Sequence, residues 1–490
     1  MPDTRDLELL LLGHAPILQI ETHEEKRALK LLVEIATRNT LSIFKWSVTQ
    51  GLARLDIDLG TQKHIAEPVE VLKHIAAVER EGVYILLDFE PYCQDPVNAR
   101  HLKEIAMKME GTRSKLVLVS HDIKLPSSLK HLVVKFELSL PNEAALNKLV
   151  SEEATRWQQE SGKRLSTSRD NISRLVKNLG GLSYNDARRL IRNAIVDDGA
   201  ITSDDLPEVM QAKYRLLNRD DVISFEYETA KFSEVGGMAR LKQWLQTRES
   251  AFLDANNGKP LDRPRGVLLL GVQGCGKSLA AKAVARIWRV PLLRFDFAAL
   301  YNKYIGETER NLRESLKTAQ VMSPCVLWID EIEKGISGGN DDGTSKRVLG
   351  AFLTWLAENK QHVFVVATAN NIHDLPPELI RKGRLDEIFF VDLPSADIRK
   401  QIFNIHMQKR GLESSAVKLD ELIDASEGFS GSEIEQVIVS AHYASHASGE
   451  PVTTETLLNE INTTRPLSVV MAEHITQLRD WASNRTVAVD

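Results

Sequence analysis

Short continuous apolar runs along this chain alternate with longer stretches in which apolar residues recur at helical spacing. From Phe232 to Pro394 the alternation is regular and predicts strand and helix in turn, with a helical segment following to about Thr464. Within that region Val267 to Leu270 and Val363 to Ala367 predict buried strands, and Leu279 to Ala285 predicts a helix. The first half shows the same plan. Ile17 to Glu21 predicts a strand and Glu24 to Ala36 a helix. Val83 to Glu90 predicts a buried strand ending in acids, and Lys115 to Ser120 another strand. A helical region is expected from Asn142 to Ile195. Such alternation implies a parallel sheet covered on both faces. Between the halves, Asp197 to about Phe225 is polar and interrupted by Pro207, which reads as a linker with short helical pieces.

Two local matches turn the shared plan into a proposed duplication. Ser120-His121-Asp122-Ile123-Lys124-Leu125-Pro126 resembles Asn370-Asn371-Ile372-His373-Asp374-Leu375-Pro376, and the two continue to Leu140-Pro141 and Leu393-Pro394. Gly181-Leu182-Ser183-Tyr184-Asn185-Asp186 resembles Gly428-Phe429-Ser430-Gly431-Ser432-Glu433, each opening a helix. Each copy is expected to be an α/β core with a helical lid; two unrelated α/β domains are the alternative.

Composition alters this picture little. A chain of 490 residues has room for roughly three or four domain-sized units. The 43% hydrophobic content is ample for packed cores. A net charge of −6 and a pI near 6.2 argue against wholesale coating of nucleic acid or membrane. Cys93, Cys275 and Cys325 are far apart and odd in number, so neither a disulfide framework nor a zinc knuckle is expected. The apolar run Leu9 to Leu12 is too short to span a bilayer and lacks a basic leader. No membrane insertion is expected, and the cytoplasm, or an organelle stroma where the chain is also made, fits.

The chemistry gathers in the second half. Gly271-Val272-Gln273-Gly274-Cys275-Gly276-Lys277-Ser278 has the spacing of a phosphate-binding P-loop, between a predicted strand and a predicted helix. Its glycines let backbone N–H groups turn toward phosphates, and the helix N-terminus adds partial positive charge. Lys277 is expected at the β- and γ-phosphates, and Ser278 on Mg2+. Downstream, Cys325-Val326-Leu327-Trp328-Ile329-Asp330-Glu331 is an apolar strand delivering two carboxylates at the sheet edge where ligands sit. Asp330 is expected to hold Mg2+ through water, and Glu331 to polarise the attacking water. The first copy has Thr22-His23-Glu24-Glu25-Lys26 after its first strand, with no glycine and no Gly-Lys-Ser. It is expected to be catalytically dead, with Asp88 and Glu90 serving capping and turn chemistry.

These residues resemble the AAA+ ATPases, in the AAA clade, strongly over 232 to 464 and weakly over the first copy. Phe232-Ser233-Glu234-Val235-Gly236-Gly237-Met238 resembles the leading segment that lies along the adenine. Asn370, after Thr368-Ala369, matches the sensor residue that helps position the water. The segment Pro376 to Asp386 resembles the arginine-finger segment, which implies that Arg381 and Arg384 point into a neighbouring subunit's site. His406 matches a histidine contacting base and ribose, Gly431 and Ser432 the lid motif near the adenine, and Leu279 is counted with the P-loop residues among the nucleotide-binding positions. Tyr304-Ile305-Gly306 resembles the pore loop that grips a threaded polypeptide; packing of Tyr304 into the core is the alternative. Residues 335–343 are read as a second pore loop or a mobile connection.

The resemblance implies an α/β P-loop NTPase three-layer sandwich with a parallel sheet and a helical lid, present twice, the first copy degenerate. The expected divisions are a degenerate core at 1–141, a first lid at 142–196, a linker at 197–226, an active core at 227–395, a second lid at 396–464 and a C-terminal tail at 465–490. The layout is similar to the uncharacterised AAA proteins first noted as hypothetical reading frames in plastid genomes and shared with cyanobacteria. ATP and Mg2+ are the implied cofactors, and a homo-oligomeric, hexameric ring is the implied assembly, because a finger supplied in trans leaves a monomer nearly inactive.

Three functions stay open: a motor remodelling or threading a protein client, a nucleic-acid-associated ATPase, and a slow ATP-gated scaffold, the last linked to photosynthetic physiology. The second draws on residues 101–200, which carry 17 lysines and arginines against 12 aspartates and glutamates, Arg188, Arg189 and Arg192 among them. His442 and His446 share a helix face without a glutamate in a zinc-protease position, which argues against an integral protease. Cys275, beside a helix N-terminus, is read first as a small residue that fits the loop; a redox-sensitive thiol of lowered pKa is the alternative.

Overall fold

The computed structural model describes every residue except 1, 58–60, 63–64, 79–80, 197–198, 203–204, 218–221, 227–233, 254–260, 302–307, 338–341, 382 and 413–416. The chain divides into two units, one of residues 1–141 with 183–185, the other of 142–182 with 186–490.

The first unit holds strands β1 (Ile17–Glu21), β2 (Ser42–Ser47), β3 (Gly51–Arg54), β4 (Thr61–Gln62), β5 (Gly82–Leu87), β6 (Lys115–Ser120) and β7 (Val133–Phe136). They form one sheet in the order β4-β3-β2-β5-β6-β1-β7. The side-chain alternation of a strand sends successive residues to opposite faces. Tyr84, Leu86, Leu116 and Leu118 pack with Leu72, Ile75, Leu102 and Ile105 of helices Pro68–Ala77 and Pro96–Met109. Val83, Ile85, Val117 and Val119 pack on the other face with Leu7, Leu11, Leu31 and Leu32 of helices Pro2–Leu12 and Glu25–Arg38. Burial on both faces explains why β5 and β6 read as unbroken apolar runs.

The second unit adds short strands β8 (Ser166–Thr167) and β9 (Ala200–Ile201), then β10 (Ile223–Glu226), β11 (Gly266–Gly271), β12 (Leu292–Phe295), β13 (Cys325–Ile329), β14 (Val363–Ala369), β15 (Glu387–Val391) and β16 (Val487–Ala488). Its large sheet runs β10-β12-β13-β14-β11-β15-β16. Again the layers are three. Leu268, Leu327, Val365 and Ala367 pack with Leu312, Leu316 and Phe352 of helices Thr308–Val321 and Asp342–Glu358. Leu269, Val326, Phe364 and Val366 pack with Leu241, Phe252, Val284 and Trp288 of helices Ala239–Phe252 and Lys277–Trp288. The lid helices Ala396–Lys409, Leu419–Ala425, Gly431–Ser448 and Thr454–Thr463 enclose their own core of Phe403, Leu422, Ile434, Ile438 and Leu457.

The two sheets share a parallel run of five strands. The order β2-β5-β6-β1-β7 in the first corresponds to β12-β13-β14-β11-β15 in the second. The flanks differ. Neither sheet is purely parallel as expected, because β3 lies antiparallel beside β2, and β10 antiparallel beside β12.

The segment read as a linker holds more than that. Helix Asp205–Leu217 accommodates Pro207 in its first turn, where a missing N–H costs nothing. Its Met210 and Tyr214 join the second unit's core, and Tyr214 donates its hydroxyl to the carbonyl of Ile223 in β10. Lys213 is fully buried. Its Nζ donates to the carbonyls of Asn178 (2.8 Å) and Gly180 (2.6 Å), where helix Arg169–Leu179 ends, and burial pushes its pKa down to about 7. Residues 465–490 likewise form helix Ala472–Ala482 and the edge strand β16. The first lid region carries helices Glu143–Ser161, Arg169–Leu179 and Tyr184–Val196.

Candidate nucleotide site

The site lies at the carboxyl ends of the second unit's strands. β11 ends at Gly271, and the helix Lys277–Trp288 begins after the turn 272–276. Gly274 and Gly276 have φ of +78° and +87°, a backbone that a Cβ strains. A Cβ on Gly274 would also stand 2.2 Å from Ser432 Oγ, so the lid motif closes on this turn. The Ser432 N–H donates to the Gly274 carbonyl at 2.9 Å. Gly431 begins helix Gly431–Ser448, capped by Ser430 and Glu433 in a reciprocal box.

Lys277 is buried, and its Nζ donates to the carbonyls of Gly271 and Val272, both at 2.8 Å. Burial lowers its pKa to about 8, against the raising charges of Glu333, Asp330 and Glu331. Leu279 packs against the core below the turn.

The second sheet edge feature is a relay of oxygens. Ser278 Oγ donates to Asp330 Oδ1 at 3.0 Å, and Thr368 Oγ1 donates to the same atom at 2.6 Å. Thr368 Oγ1 in turn accepts the Glu331 N–H at 3.0 Å. Glu331 sits at φ +47°, two residues past the end of β13. Its Oε1 accepts from Asn370 Nδ2 at 2.9 Å, and its Oε2 lies 2.6 Å from Lys334 Nζ. Glu333 is buried, accepts the Asn370 N–H at 2.8 Å, and has its pKa raised by burial. The sequence reading named Ser278, Asp330, Glu331 and Asn370 but gave no role to Thr368, Glu333 or Lys334. A hydroxyl two positions before Asn370 at the end of a buried strand was the available signal.

Thr368 therefore orients both acids at once. Replacing it with valine removes an acceptor for Glu331 N–H and a donor to a carboxylate. Hydrogen bonds to charged groups contribute about 1.5–3 kcal/mol, so Thr368→Val is expected to lower the hydrolytic rate about tenfold to a hundredfold. Phosphate release at saturating ATP reads this. A rate within twofold of the parent would leave the relay without a catalytic role.

The other predicted residues are distributed around this cluster. Gly236 packs against Ile398 and Ile402 of the lid helix Ala396–Lys409. His406, on the same helix, has its Nδ1 3.3 Å from Glu435 Oε1, and burial lowers its pKa. Arg381 is exposed after the short helix Pro377–Ile380. Arg384 donates to the carbonyl of Glu378 in that helix. Tyr304, Ile305 and Gly306 lie outside the described residues. Of the loop 335–343, residues to 337 belong to helix Ile332–Ser337 and those from 342 to the next helix.

Cys275 departs from the alternative of a lowered pKa. Its thiol is half-buried and donates weakly to the Gln273 carbonyl at 3.9 Å. Burial pushes its pKa up to about 12, outweighing the nearby Lys277 charge, so at neutral pH it is a thiol and not a thiolate.

The first unit keeps a remnant of the relay. Asp88, at φ +49° after β5, accepts from Ser120 Oγ at 3.0 Å, as Asp330 accepts from Thr368. The phosphate turn is gone. β1 reaches its helix through residues 22–24, and Glu24 is buried there. Its carboxylate accepts from Arg27 Nη1 at 2.8 Å and from the Asn185 N–H at 3.1 Å. Arg27 also pairs with Asp3 and stacks over Tyr184, 4.3 Å from the ring centre. An ion-pair network thus occupies the stretch that corresponds to the glycine turn 272–276 of the second unit.

Comparisons with known proteins bear on both halves. Residues 267–393 match the ATPase family associated with various cellular activities (AAA). Residues 3–138 match the SpoVK-like AAA ATPase N-terminal domain, and residues 144–220 the SpoVK-like AAA ATPase second domain. The chain is 35% identical to an uncharacterized AAA domain-containing protein ycf46 of Guillardia theta, over 99% of this chain and 95% of that protein. It is 34% identical to a protein of the same description from Pyropia yezoensis, over 98% of each. A proteasome-activating nucleotidase of Aeropyrum pernix is 36% identical over 46% of this chain and 57% of its own length.

Proposed function

The chain belongs to the AAA ATPase family, and from that premise we propose that it hydrolyses ATP with Mg2+ in a ring of like subunits and remodels a protein client with the energy. The observation that carries the hydrolysis is the pair at the end of β13, where Asp330 meets Ser278 and Glu331 meets Asn370. The Ser278 hydroxyl and the Asp330 carboxylate are hard oxygen donors at one spot, a set that suits Mg2+. That ion, when bound, offsets the negative charge of the phosphates. The chain's own residues do the rest. The N–H groups of residues 273–276 cradle the phosphates, and Lys277 turns from two carbonyls toward them. Glu331 takes the proton of the attacking water, and Asn370 holds that carboxylate in place.

A protein client is supported by the name of the archaeal relative and by the Tyr304-Ile305-Gly306 triplet. The nucleic-acid reading has weaker support. Arg188 lies 3.3 Å from Glu152 and 3.2 Å from Glu153, and Arg192 lies 3.6 Å from Glu160, so two of the three arginines behind that reading are paired. Among the described residues no helix is long and apolar enough to cross a membrane; we place the protein in the cytoplasm or a plastid stroma.

The test is phosphate release by the purified chain with Mg2+ and with EDTA, beside sedimentation in ATP. Turnover that needs the divalent ion, and a species near the mass of a hexamer, are the expected results. Turnover per chain that is independent of protein concentration in a monomer would sink the ring.

A further inference from the structure

Residues 467–490, which sequence patterning leaves as a tail, touch three elements that build the nucleotide site. The Leu467 N–H donates to Glu433 Oε1 at 2.7 Å. Glu433 Oε2 accepts from the N–H and the hydroxyl of Ser430, at 2.7 and 2.8 Å, next to the lid motif that bonds Gly274. Farther on, Leu478 and Ala482 anchor helix Ala472–Ala482 in the core. That helix places Arg479 against Asp392, with Nε 3.0 and 2.9 Å from the two carboxylate oxygens and Nη2 2.8 Å from Oδ1. Asp392 follows Val391, whose carbonyl accepts the Val272 N–H of the phosphate turn at 3.0 Å.

The last contact is the most consequential. β16 pairs with β15, and the Val489 carbonyl then accepts the Arg240 N–H at 2.9 Å. Asp490 Oδ1 accepts the Ala239 N–H at 3.2 Å. Helix Ala239–Phe252 starts from Met238 at φ +63° with no side-chain cap from its own segment. A helix leaves its first N–H groups without intrahelical partners, and here residues 489 and 490 supply them. Gly237, at φ +73°, is so close that a Cβ there would stand 3.0 Å from both carboxylate oxygens of Asp490. Met238 is buried, and its Cε would lie 3.7 Å from a Cβ on Gly276. The turn that Asp490 grips therefore reaches the phosphate turn.

We propose that residues 467–490 form a strap that sets nucleotide affinity, with Asp490 as the positioning residue for the Gly236–Met238 turn. This rests on the ATP-binding reading above. The strap acts on the pocket wall and leaves the Asp330–Glu331 relay untouched, so it sets KM and not kcat. Losing a helix cap of this kind corresponds to about a threefold to fivefold change in an equilibrium constant.

The experiment measures steady-state ATP hydrolysis and the affinity for a fluorescent ATP analogue in the full chain. Parent, Asp490→Ala and Asp490→Asn are compared, with melting curves taken without nucleotide. Asp490→Ala is expected to raise KM and the analogue's Kd threefold to fivefold with kcat within twofold. Asp490→Asn, which keeps an acceptor oxygen and gives up the charge favoured at a helix N-terminus, is expected to fall between. If Asp490→Ala does not fold, the asparagine variant alone must still show the raised KM. A lowered melting temperature with KM unchanged would overturn the strap as a determinant of affinity and leave it a structural brace. A parent chain that fails to bind the analogue overturns the ATP reading together with this inference, whereas parent binding with unshifted variants overturns the strap alone.

Discussion

Replacing Glu331 with glutamine is expected to lower kcat by about 10²–10⁴-fold while ATP still binds. Glutamine has the shape of glutamate and keeps an oxygen for the 2.9 Å bond from Asn370 Nδ2. It cannot take a proton from water, and its amide turns a poor partner toward the Lys334 ammonium that stands 2.6 Å from Oε2. The backbone of residue 331 is held separately, through its N–H to Thr368, so the substitution leaves the strand end in place. Lys277, Ser278 and the glycine turn are untouched, which is why affinity survives. Single-turnover phosphate release and titration of a fluorescent ATP analogue read the two halves of the expectation. The same variant is expected to hold the ATP-bound state long enough to capture a protein client from a cell extract, with release by excess ADP. Enrichment of nucleic acid in place of protein would advance the second functional class. Hydrolysis within tenfold of the parent would move the general base elsewhere, with buried Glu333, which also bonds Asn370, the next candidate.

How much of this was legible in the sequence depends on how local each signal is. The phosphate turn and the acid pair are contiguous motifs on apolar strands, and the strands stand where the runs predicted them, β1 at Ile17–Glu21 and β6 at Lys115–Ser120. The relay through Thr368 is not contiguous, because its partner Asp330 is 38 positions away and only the pairing of β13 with β14 joins them. Helix Asp205–Leu217 was hidden by polar composition and by Pro207, yet a proline in the first turn is no breaker and Lys213 is a buried cap for another helix's carbonyls. β16 has two residues, Val487–Ala488, too few to carry any period. The alternative of a lowered pKa at Cys275 fails because the helix N-terminus is visible in sequence and the desolvation around the thiol is not. The duplication rested on two weak local matches, and the shared order of five strands is a feature that no pairwise reading of residues contains.

Removing the guanidinium of Arg381 is expected to cut ATP turnover by about 10³–10⁵-fold, the usual effect of an arginine finger. Arg381 is exposed, and it follows a short helix whose Glu378 carbonyl accepts a bond from Arg384. That bond suits Arg384 to bracing the segment, so Arg384→Ala is expected to cost less, about tenfold, the worth of one charge-assisted hydrogen bond. A finger acting across a subunit boundary has a signature that a local ion pair lacks. Arg381→Ala chains keep a whole phosphate site, and Lys277→Ala chains keep the finger; each alone is inactive. Mixed and allowed to exchange in ATP, they generate junctions in which a sound site meets a sound finger. With equal amounts and random order, roughly a quarter of junctions qualify in a closed head-to-tail ring. Phosphate release by the mixture should therefore recover to about a quarter of the parent rate per chain. Recovery tests the trans geometry directly, because a finger acting within its own chain would leave every site in the mixture with one defect. A mixture as inactive as its components would confine Arg381 to its own subunit and remove the reason for a ring.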